Sequence, residues 1–283
     1  MSERQKYIGI IAQVAENFNK MCGMRPIPED VARRYYDDFS IMNCHNSTAI
    51  EGNSFTYDET RLILKEGVVF ANHSLGEHIE LTGYRSGYWL VYDSVKGGAD
   101  ISKDFIRQIH GVTMPGFTHS GGYRNIEVYV GDGFSNKVTY RPPSCAAVPR
   151  LMADYVSAVN ADLKAFENIK TTGECDFFEL FHALSKHHCE FERIHPFVDG
   201  NGRVGRLLLN TELIKIGLLP VDIRYEEKER YYAALKNYDT KVRYAGRPQS
   251  PTESMAKLLA ASQLRSMELW NRMFAAYADG IDR

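Results

Sequence analysis

The sequence predicts an all-α protein, a helical bundle that carries one β-hairpin. Two observations favour this class: most apolar residues recur at spacings of three and four, the period of a helix, and a single segment alternates as a strand does. Hydrophobic residues make up 44% and charged residues 25% of the 283 positions, which is ordinary for a globular protein and excludes a disordered chain. At roughly 150 residues per domain, this length suits one large domain or two smaller ones.

Two apolar stripes identify the clearest helices. The second stripe follows Asp176 and Glu179, whose spacing is typical of a capping box at a helix start. We expect His188 to be a core histidine, and His182 and His187 to be ordinary helix residues. The stripe of the opening helix consists of Tyr7, Ile11, Val14, Phe18 and Met21. The second stripe consists of Phe177, Phe181, Leu184, His188 and Phe191.

Three further helices are predicted towards the C-terminus. The first covers residues 202–216 and is stopped by Gly217. Residues 231–238 and 255–274 also follow the helical period. The stretch 246–251 contains glycine and two prolines, so it is the best candidate for a linker.

The alternating segment predicts a hairpin. Its turn falls at residues 131–136, where Gly, Asp, Ser and Asn predominate. A lone hairpin has no core of its own, so we expect it to lie against helices as a flap. The alternating residues are Ile126, Val128 and Val130 before the turn, and Val138 and Tyr140 after it.

Charge and cysteine content narrow the function classes. Lys and Arg total 34 against 36 for Asp and Glu, and the net charge of −2 argues against a dedicated nucleic-acid binder. No apolar run reaches the ~18 residues that span a bilayer. Gln13 and Glu16 interrupt the apolar start, which we interpret as a helix and not a signal peptide. The five cysteines are scattered and odd in number, which is typical of reduced thiols in a cytoplasmic protein.

The most informative segment is 195–206, which lies between two strong helical patterns. Gly200 and Gly202 permit backbone conformations in which successive N–H groups converge on an anion. The start of the next helix adds free N–H groups and a positive dipole end. Arg203 and Arg206 are three residues apart, so both can reach the same polyanion.

The same segment contains one carboxylate and one imidazole. Asp199 suits a Mg²⁺ ion that takes its other ligands from phosphates and water. His195 precedes Pro196, which stiffens the loop, and it is a candidate base. These groups together predict a nucleotide site, since a structural loop would not need all of them.

This segment resembles the signature of the Fic family. The residues from His195 to Arg206 match H-P-F-x-x-G-N-G-R-x-x-R at every fixed position. The resemblance covers roughly residues 40–240. Gly122-Tyr123-Arg124, followed by residues 128–131, resembles the entry into the family's flap, and Tyr231-Tyr232 resembles the aromatic pair that lines the adenine and ribose pocket.

The resemblance implies a Fic-type helical bundle with a β-hairpin flap. It divides the chain into an N-terminal helical region (1–95), a Fic core (96–245) and a C-terminal helical extension (246–283). Within the core, the flap covers residues 124–142 and the signature loop 195–206.

The resemblance also implies an activity, the transfer of AMP from ATP to a Ser, Thr or Tyr hydroxyl of a protein. His195 is then the general base, and Asp199 holds Mg²⁺ across the α- and β-phosphates. Arg203 binds the phosphate chain, and Arg206 binds the γ-phosphate. The residues implied to cradle the α-phosphate are Gly200, Asn201 and Gly202. The flap residues implied to pin the target by strand addition are Val128, Tyr129, Val130 and Gly131.

A second motif concerns regulation. Residues 47–52 fit the family's inhibitory pattern [S/T]-x-x-x-E-[G/N], with Ser47 and Glu51 at its fixed positions. Because these two residues are four apart, we expect them to share one face of a helix near 43–53. The resemblance implies that Glu51 pairs with Arg206 and so prevents productive ATP binding.

Alternatives to this hypothesis stay open. Asp239 stands where some relatives have Asn, which leaves open the local adenine or ribose contact and the choice of ATP over another nucleotide. A de-AMPylase or another Fic-type transferase is one alternative, although the intact run 200–203 disfavours a kinase. An ATP-sensing protein-binding module without turnover is another. The expected partners are ATP and an unidentified protein target, with the chain itself among the candidates, and we expect neither nucleic acid nor membrane. A homodimer is a further candidate state.

Overall fold

The chain forms a helical bundle with one two-stranded antiparallel sheet, which confirms the predicted fold class. The structure is a computed structural model that describes residues 2–24, 27–131, 138–167, 169, 175–243 and 251–278. Within this part, the helices are α1 (Glu3–Gly23), α2 (Glu29–Ile50), α3 (Tyr57–Glu66), α4 (Leu75–Lys96), α5 (Lys103–Thr113), α6 (Val148–Lys164), α7 (Phe177–Ile194), α8 (Asn201–Ile216), α9 (Lys228–Arg243) and α10 (Glu253–Ala278). The strands are β1 (Val130–Gly131) and β2 (Val138–Tyr140).

Helix α8 lies at the centre of the bundle, where α4, α5 and α7 pack around it. Nearly all of its residues are buried, and its leucines point to all sides. A helix enclosed in this way has no solvent face for charged side chains. The burial of Arg203 and Arg206 on α8 therefore requires partners for both guanidinium groups.

The opening helix packs on the C-terminal one. Helix α1 contacts α10, and both contact α7. Four residues of the predicted stripe on α1 are buried, and Ile11 is partly buried against the same core. Asp176 caps α7 by accepting from the backbone N–H groups of Phe178 and Glu179. Of the predicted capping box, the structure thus shows the bonds that the Asp176 side chain accepts.

Four helices have boundaries that differ from the predicted ones. Helix α8 begins one residue earlier than predicted and ends as predicted before Gly217, which adopts a left-handed conformation. Helices α9 and α10 extend beyond the predicted ranges. The helix expected near 43–53 is α2, which ends at Ile50, so Glu51 is its C-cap and not a helical residue. The chain turns away at Gly52, where φ is 108°.

The hairpin is shorter than the sequence predicted. Val130 pairs with Tyr140, and Gly131 pairs with Val138. Ile126, expected in the first strand, lies before β1 and is exposed. The Tyr140 hydroxyl donates to the Arg193 carbonyl at 2.7 Å, which fastens the hairpin to the end of α7. The predicted turn residues 132–136 and most of the predicted linker, 246–250, lie outside the described residues.

No helix in the described ranges combines the length and the apolar character needed to cross a bilayer.

Candidate active site

The site is built on the loop that joins α7 to α8. His195 is the C-cap of α7 and adopts a left-handed conformation, with φ 51° and ψ 61°. Among the residues that the structure describes, it is the one non-glycine residue with a positive φ. Such a backbone costs roughly 1 kcal/mol and persists where the surroundings hold it.

Arg124 holds the backbone of this loop. Its guanidinium is buried and donates to the carbonyls of Ile194 and His195, at 3.4 and 2.8 Å, and to that of Pro143 at 2.5 Å. Its backbone N–H donates to the Pro196 carbonyl at 2.8 Å. Because one side chain bonds both the base of the flap and the His195 segment, these two parts of the site are positioned together.

The His195 ring has one nitrogen available for proton transfer. Its Nδ1 lies 3.3 Å from the Glu192 carbonyl, an acceptor, which assigns the proton to Nδ1 and leaves Nε2 with a free lone pair. Burial lowers the pKa of His195 to about 4. The imidazole is therefore neutral at physiological pH and able to accept a proton.

Glycine and asparagine shape the loop before α8. Gly200 has φ 78°, and a Cβ there would collide with the Met114 side chain. The Asn201 side chain accepts from the Phe197 N–H and donates to the Phe197 carbonyl, both at 2.9 Å. The Asn201 amide is therefore committed to the loop, so only its backbone N–H can face an anion.

The first arginine of the segment lies between two carboxylates. Arg203 Nη2 is 3.3 Å from Asp199 Oδ1, and Arg203 Nη1 is 3.1 Å from Glu80 Oε1. Asp199 also accepts from the Gly200 N–H at 2.6 Å, and its side chain is more than half exposed. A phosphate chain or a cation at this position would meet both groups.

The second arginine is bound by the segment at the end of α2. Arg206 Nε donates to Ser47 Oγ at 2.7 Å, and Nη2 donates to the Ser47 carbonyl at 2.9 Å and to Glu51 Oε1 at 2.7 Å. The Glu51 carboxylate lies so close to Gly202 that a Cβ on that glycine would collide with it. The structure thus brings together Glu51 and Arg206, as the resemblance implied, and adds Ser47 to the same contact.

Burial and the charge of Arg206 have opposite effects on the protonation of two nearby carboxyl groups. Burial acts to raise the pKa of Glu51, but Arg206 and Arg203 outweigh it and hold that pKa below its usual value. Burial raises the pKa of Glu192 to about 8, against the opposing effect of Arg206. Glu51 is therefore the ionised partner of Arg206, whereas Glu192 is a neutral carboxylic acid at physiological pH.

The two predicted nucleotide-pocket tyrosines have different surroundings. Tyr231 is buried, its hydroxyl is 2.9 Å from His188 Nε2, and Arg206 lies over its ring at 5.8 Å. Tyr232 is exposed, and its hydroxyl donates to the Ile50 carbonyl at 3.5 Å. The buried Tyr231 ring therefore packs on the Arg206 guanidinium. The exposed Tyr232 ring lies at the surface beside the end of α2.

Two predictions about histidines have different outcomes. His188 is a buried core residue with both ring nitrogens partnered, by Tyr231 and the Gly205 carbonyl, as expected. The interpretation of His187 as an ordinary helix residue is wrong. Its ring is buried between Glu212 at 2.7 Å and Asp162 at 2.9 Å, and these carboxylates raise the pKa of His187 despite the opposing effect of burial.

The flap lies beside this loop. Val128 and Tyr129 precede β1 and are not part of the paired strand, whereas Val130 and Gly131 are. Tyr129 is 58% exposed, and the Arg141 guanidinium lies 5.2 Å from its ring centroid. An exposed backbone segment next to a short strand can receive an extended peptide by strand addition.

Sequence reasoning missed three residues that shape the site. Glu80 and Glu192 contact the site from α4 and α7, and no motif near them signals this. His110 on α5 stacks on Phe197, with centroids 3.8 Å apart, and its Nε2 is 3.1 Å from the Asp199 carbonyl. Tertiary packing alone brings these side chains to the loop.

The donor groups limit how a metal could bind. No group of three His, Cys, Asp or Glu side chains suited to a metal is found in the part of the chain that the structure describes. Asp199 is the exposed carboxylate of the loop, so a cation held there would need phosphate and water oxygens. This donor set fits Mg²⁺, which commonly keeps several waters and binds through one or two carboxylates and substrate phosphates.

Comparison with known proteins gives matches over the same region. Residues 100–213 match the Fic/DOC family. The chain is 30% identical over 206 residues to the protein adenylyltransferase Fic of Drosophila erecta, and 32% identical over 209 residues to the protein adenylyltransferase fic-1 of Caenorhabditis briggsae. These matches cover 72% of this chain but 38% and 37% of the two relatives. The chain therefore spans well under half the length of these proteins.

Solved structures match almost the whole chain. A Fic domain containing signalling protein from Bacteroides thetaiotaomicron superposes with a TM-score of 0.76 at 23% identity, over 95% of this chain and 98% of that one. Fic-1 from C. elegans gives a TM-score of 0.72 at 23% identity, over 98% of this chain and 73% of that one. These likenesses confirm the predicted fold.

Proposed function

This chain belongs to the Fic/DOC family, and we propose that it acts as a protein adenylyltransferase, which moves AMP from ATP to a Ser, Thr or Tyr hydroxyl of a target protein. One observation carries the proposal: a neutral imidazole, an exposed carboxylate and two buried arginines meet at the start of one helix. His195 and Asp199 lie on the loop, and Arg203 and Arg206 lie on the first turns of α8.

His195 is the general base of the proposed reaction. The hydroxyl oxygen of the target attacks the α-phosphorus of ATP, and its proton passes to Nε2 of His195. The bond between the α-phosphorus and the oxygen that bridges to the β-phosphate breaks, and pyrophosphate leaves. The Glu192 carbonyl supports this role because it holds the Nδ1 proton and so keeps Nε2 free.

The polyphosphate chain is bound at the start of α8. The backbone N–H groups of residues 201 and 202 and the positive end of the helix dipole face the α-phosphate in this proposal, whereas the Gly200 N–H is bonded to Asp199. Arg203 binds the phosphate chain, and Arg206 binds the γ-phosphate. The developing negative charge is thus met by groups that are already in position.

Asp199 is the residue that would hold Mg²⁺. The ion would neutralise charge on the α- and β-phosphates as pyrophosphate leaves. Because the loop offers this single exposed carboxylate, phosphate and water oxygens would supply the other ligands.

The flap positions the target in this proposal. An extended target segment adds to the exposed backbone at Val128 and Tyr129, which carries its hydroxyl towards His195. Arg124 supports this arrangement because it bonds the flap and the carbonyl of His195 at once. Backbone pairing accepts many sequences, so the choice of target depends on side-chain contacts.

Glu51 inhibits the reaction in this proposal. Its carboxylate uses the Nη2 group of Arg206 that a γ-phosphate would need, and it lies against Gly202. Bound ATP would then lack its γ-phosphate partner and adopt an unproductive position. Release of Glu51 activates the enzyme.

The test is incubation with Mg²⁺ and ATP labelled at the α-phosphate, followed by detection of label on protein. We expect label on the chain or on lysate proteins with the Glu51→Gly variant and little with the parent chain. Label that appears from γ-labelled ATP would indicate a kinase instead. Tight ATP binding without any transfer would indicate a sensing module, and loss of AMP from a pre-modified target would indicate a de-AMPylase.

The compartment is part of the proposal as well. The five cysteines are unpaired, and Cys44 and Cys189 are each buried singly. Free thiols persist where glutathione and thioredoxin keep them reduced, which supports a cytoplasmic location.

A further inference from the structure

The turn that follows α2 is fastened to the start of α4. Asn53 Nδ2 donates to the Glu77 carbonyl and to Glu80 Oε2, both at 3.1 Å. The backbone N–H of Ser54 donates to Glu77 Oε1 at 2.9 Å, and the Ser54 hydroxyl donates to the same oxygen at 2.5 Å. The turn 51–54 is therefore held at a second place, separate from the Glu51–Arg206 pair.

Glu80 also contacts the site through its other oxygen. Oε1 is 3.1 Å from Arg203 Nη1, while Oε2 accepts from Asn53. Asn53 and Arg203 are both buried, and the Glu80 side chain is 25% exposed. One carboxylate thus joins the turn next to Glu51 to the arginine that faces the phosphate chain.

We propose that Glu80 is a positioning residue that couples the turn 51–54 to Arg203, so that this turn restrains both arginines of α8 together. Glu51 restrains Arg206 directly, and Asn53 restrains Arg203 through Glu80. The assignment of Arg203 and Arg206 to nucleotide binding rests on the proposed function, whereas the coupling itself is a property of the contacts.

The coupling has a consequence for ligand binding. Arg203 is shared between Glu80 and Asp199, and in this proposal an incoming polyphosphate competes with Glu80 for Arg203 Nη1. A displaced Glu80 loses the geometry that holds Asn53, and the turn loosens. By linkage, a loosened turn also favours polyphosphate binding by the same factor. Nucleotide binding and release of Glu51 therefore promote each other.

The first test is hydrogen exchange on the full chain without ligand. Three backbone N–H groups report the turn: Gly52 donates to the Ala49 carbonyl, Asn53 to the Thr48 carbonyl, and Phe55 to Asn53 Oδ1. Glu80→Gln keeps an acceptor for Asn53 but removes the charge that pairs with Arg203, so we expect it to speed exchange of these amides about tenfold. Asn53→Ala should do the same for Gly52 and Asn53, through the other end of the link.

The control is Asp93→Asn, which changes an exposed carboxylate on the same helix. It should leave exchange in the turn unchanged, and exchange in α10 should stay constant in every variant, which shows that the fold is intact. Unchanged protection of Gly52 and Asn53 in Glu80→Gln would overturn the proposal.

The second test is a double-mutant cycle on nucleotide affinity, with a fluorescent ATP analogue as the probe. If the turn restrains both arginines, Glu51→Gly already frees the turn from Arg206. Glu80→Gln then changes the dissociation constant less in the Glu51→Gly variant than in the parent chain. Strictly additive effects of Glu51→Gly and Glu80→Gln would contradict the coupling. Absence of AMP transfer in all variants would contradict the proposed function and leave the exchange result standing.

Discussion

The Glu51 carboxylate pairs with the Arg206 guanidinium at 2.7 Å, and the pair lies against the backbone of Gly202. Arg206 makes two further bonds to Ser47, and its Nη1 has no hydrogen-bond partner among the described residues. A buried arginine with one unused donor is poised for an additional anionic ligand. In the proposed function, the pair places the positive charge of Arg206 at the site while Glu51 occupies its Nη2 group.

Replacement of Glu51 tests this relationship most directly. We expect Glu51→Gly to raise AMP transfer by about ten- to a hundredfold, since a charge-assisted hydrogen bond is worth roughly 1.5–3 kcal/mol. The same variant should have a lower melting temperature, because it leaves the buried Arg206 without its counter-charge. The measurements are transfer of α-label and thermal unfolding without ligand.

Two related variants control this experiment. Ser47→Ala removes one bond to Arg206 but keeps the Glu51 charge, so it should raise transfer much less. Glu51→Gln keeps the shape of the side chain and should fall between the parent and Glu51→Gly. Equal transfer in the parent and in Glu51→Gly, with an active preparation, would contradict inhibition by Glu51.

Loss of the imidazole is expected to abolish the reaction without abolishing binding. In the Glu51→Gly background, His195→Ala should lower transfer by roughly 10²–10⁴-fold, the usual contribution of a general base. ATP affinity should change little, because the arginines and the loop remain. His119→Ala replaces an exposed histidine and is the matched control. A His195→Ala variant that still transfers AMP at the control rate would show that another group takes the proton.

The pH dependence follows from the burial of His195. Its pKa is about 4 in the free protein, below the 6.5 of an exposed histidine, and the base that we propose acts in its neutral form. We therefore expect kcat/KM of Glu51→Gly, corrected for protonation of ATP itself, to stay flat at neutral pH and to fall only near pH 4. A fall centred at or above pH 6.5 would show that the imidazole is not the buried base seen in the structure.

The site was more predictable than the helices that support it. The residues 195–206 are contiguous and carry their own turn chemistry, so their local conformation follows from glycine, proline and helix-start preferences. The Ser47 and Glu51 pattern was also readable, although α2 ends at Ile50, earlier than expected, so that Ser47 lies inside the helix and Glu51 is its C-cap. What the sequence could not reveal are contacts between distant segments, such as Glu80 with Arg203.

Helix α4 shows why part of the fold escaped prediction. Its apolar residues recur at helical spacing, but Gly83 and Gly87 interrupt the pattern, and glycine is about 1 kcal/mol less favourable than alanine inside a helix. In the structure, a Cβ at Gly83 would collide with the Thr113 carbonyl and Pro115, and one at Gly87 with the Thr113 hydroxyl. These glycines permit close packing of α4 on the end of α5, a reason that only the tertiary structure provides.

Glu192 should make the stability of the protein depend on pH. Burial raises its pKa to about 8 from 4.5, so the folded state keeps the proton over a range in which the unfolded chain releases it. Its contribution to stability is complete below pH 4.5 and is lost as the pH rises towards 8. Glutamine cannot ionise, so Glu192→Gln should match the parent chain near pH 4.5 and melt higher at pH 8, by roughly 2–4 °C or more.

The control for this effect is Glu179→Gln, which alters an exposed carboxylate at the start of the same helix. It should shift the melting temperature equally little at both pH values. A melting difference for Glu192→Gln that does not grow with pH would show that this carboxyl is ionised in the folded protein.

Gly202 offers a test of the Glu51 position that needs no enzymatic activity. A Cβ at Gly202 would collide with the Glu51 carboxylate and approach Arg206 Nη1 at 3.0 Å. Gly202→Ala should therefore destabilise the parent chain. In the Glu51→Gly background the carboxylate is gone, and alanine is about 1 kcal/mol more favourable than glycine in a helix, so the same substitution should be neutral or stabilising there.

Gly200→Ala is the control, because its φ of 78° and its contact with Met114 make it unfavourable in both backgrounds. Equal destabilisation by Gly202→Ala with and without Glu51 would mean that the carboxylate does not lie against this glycine in solution.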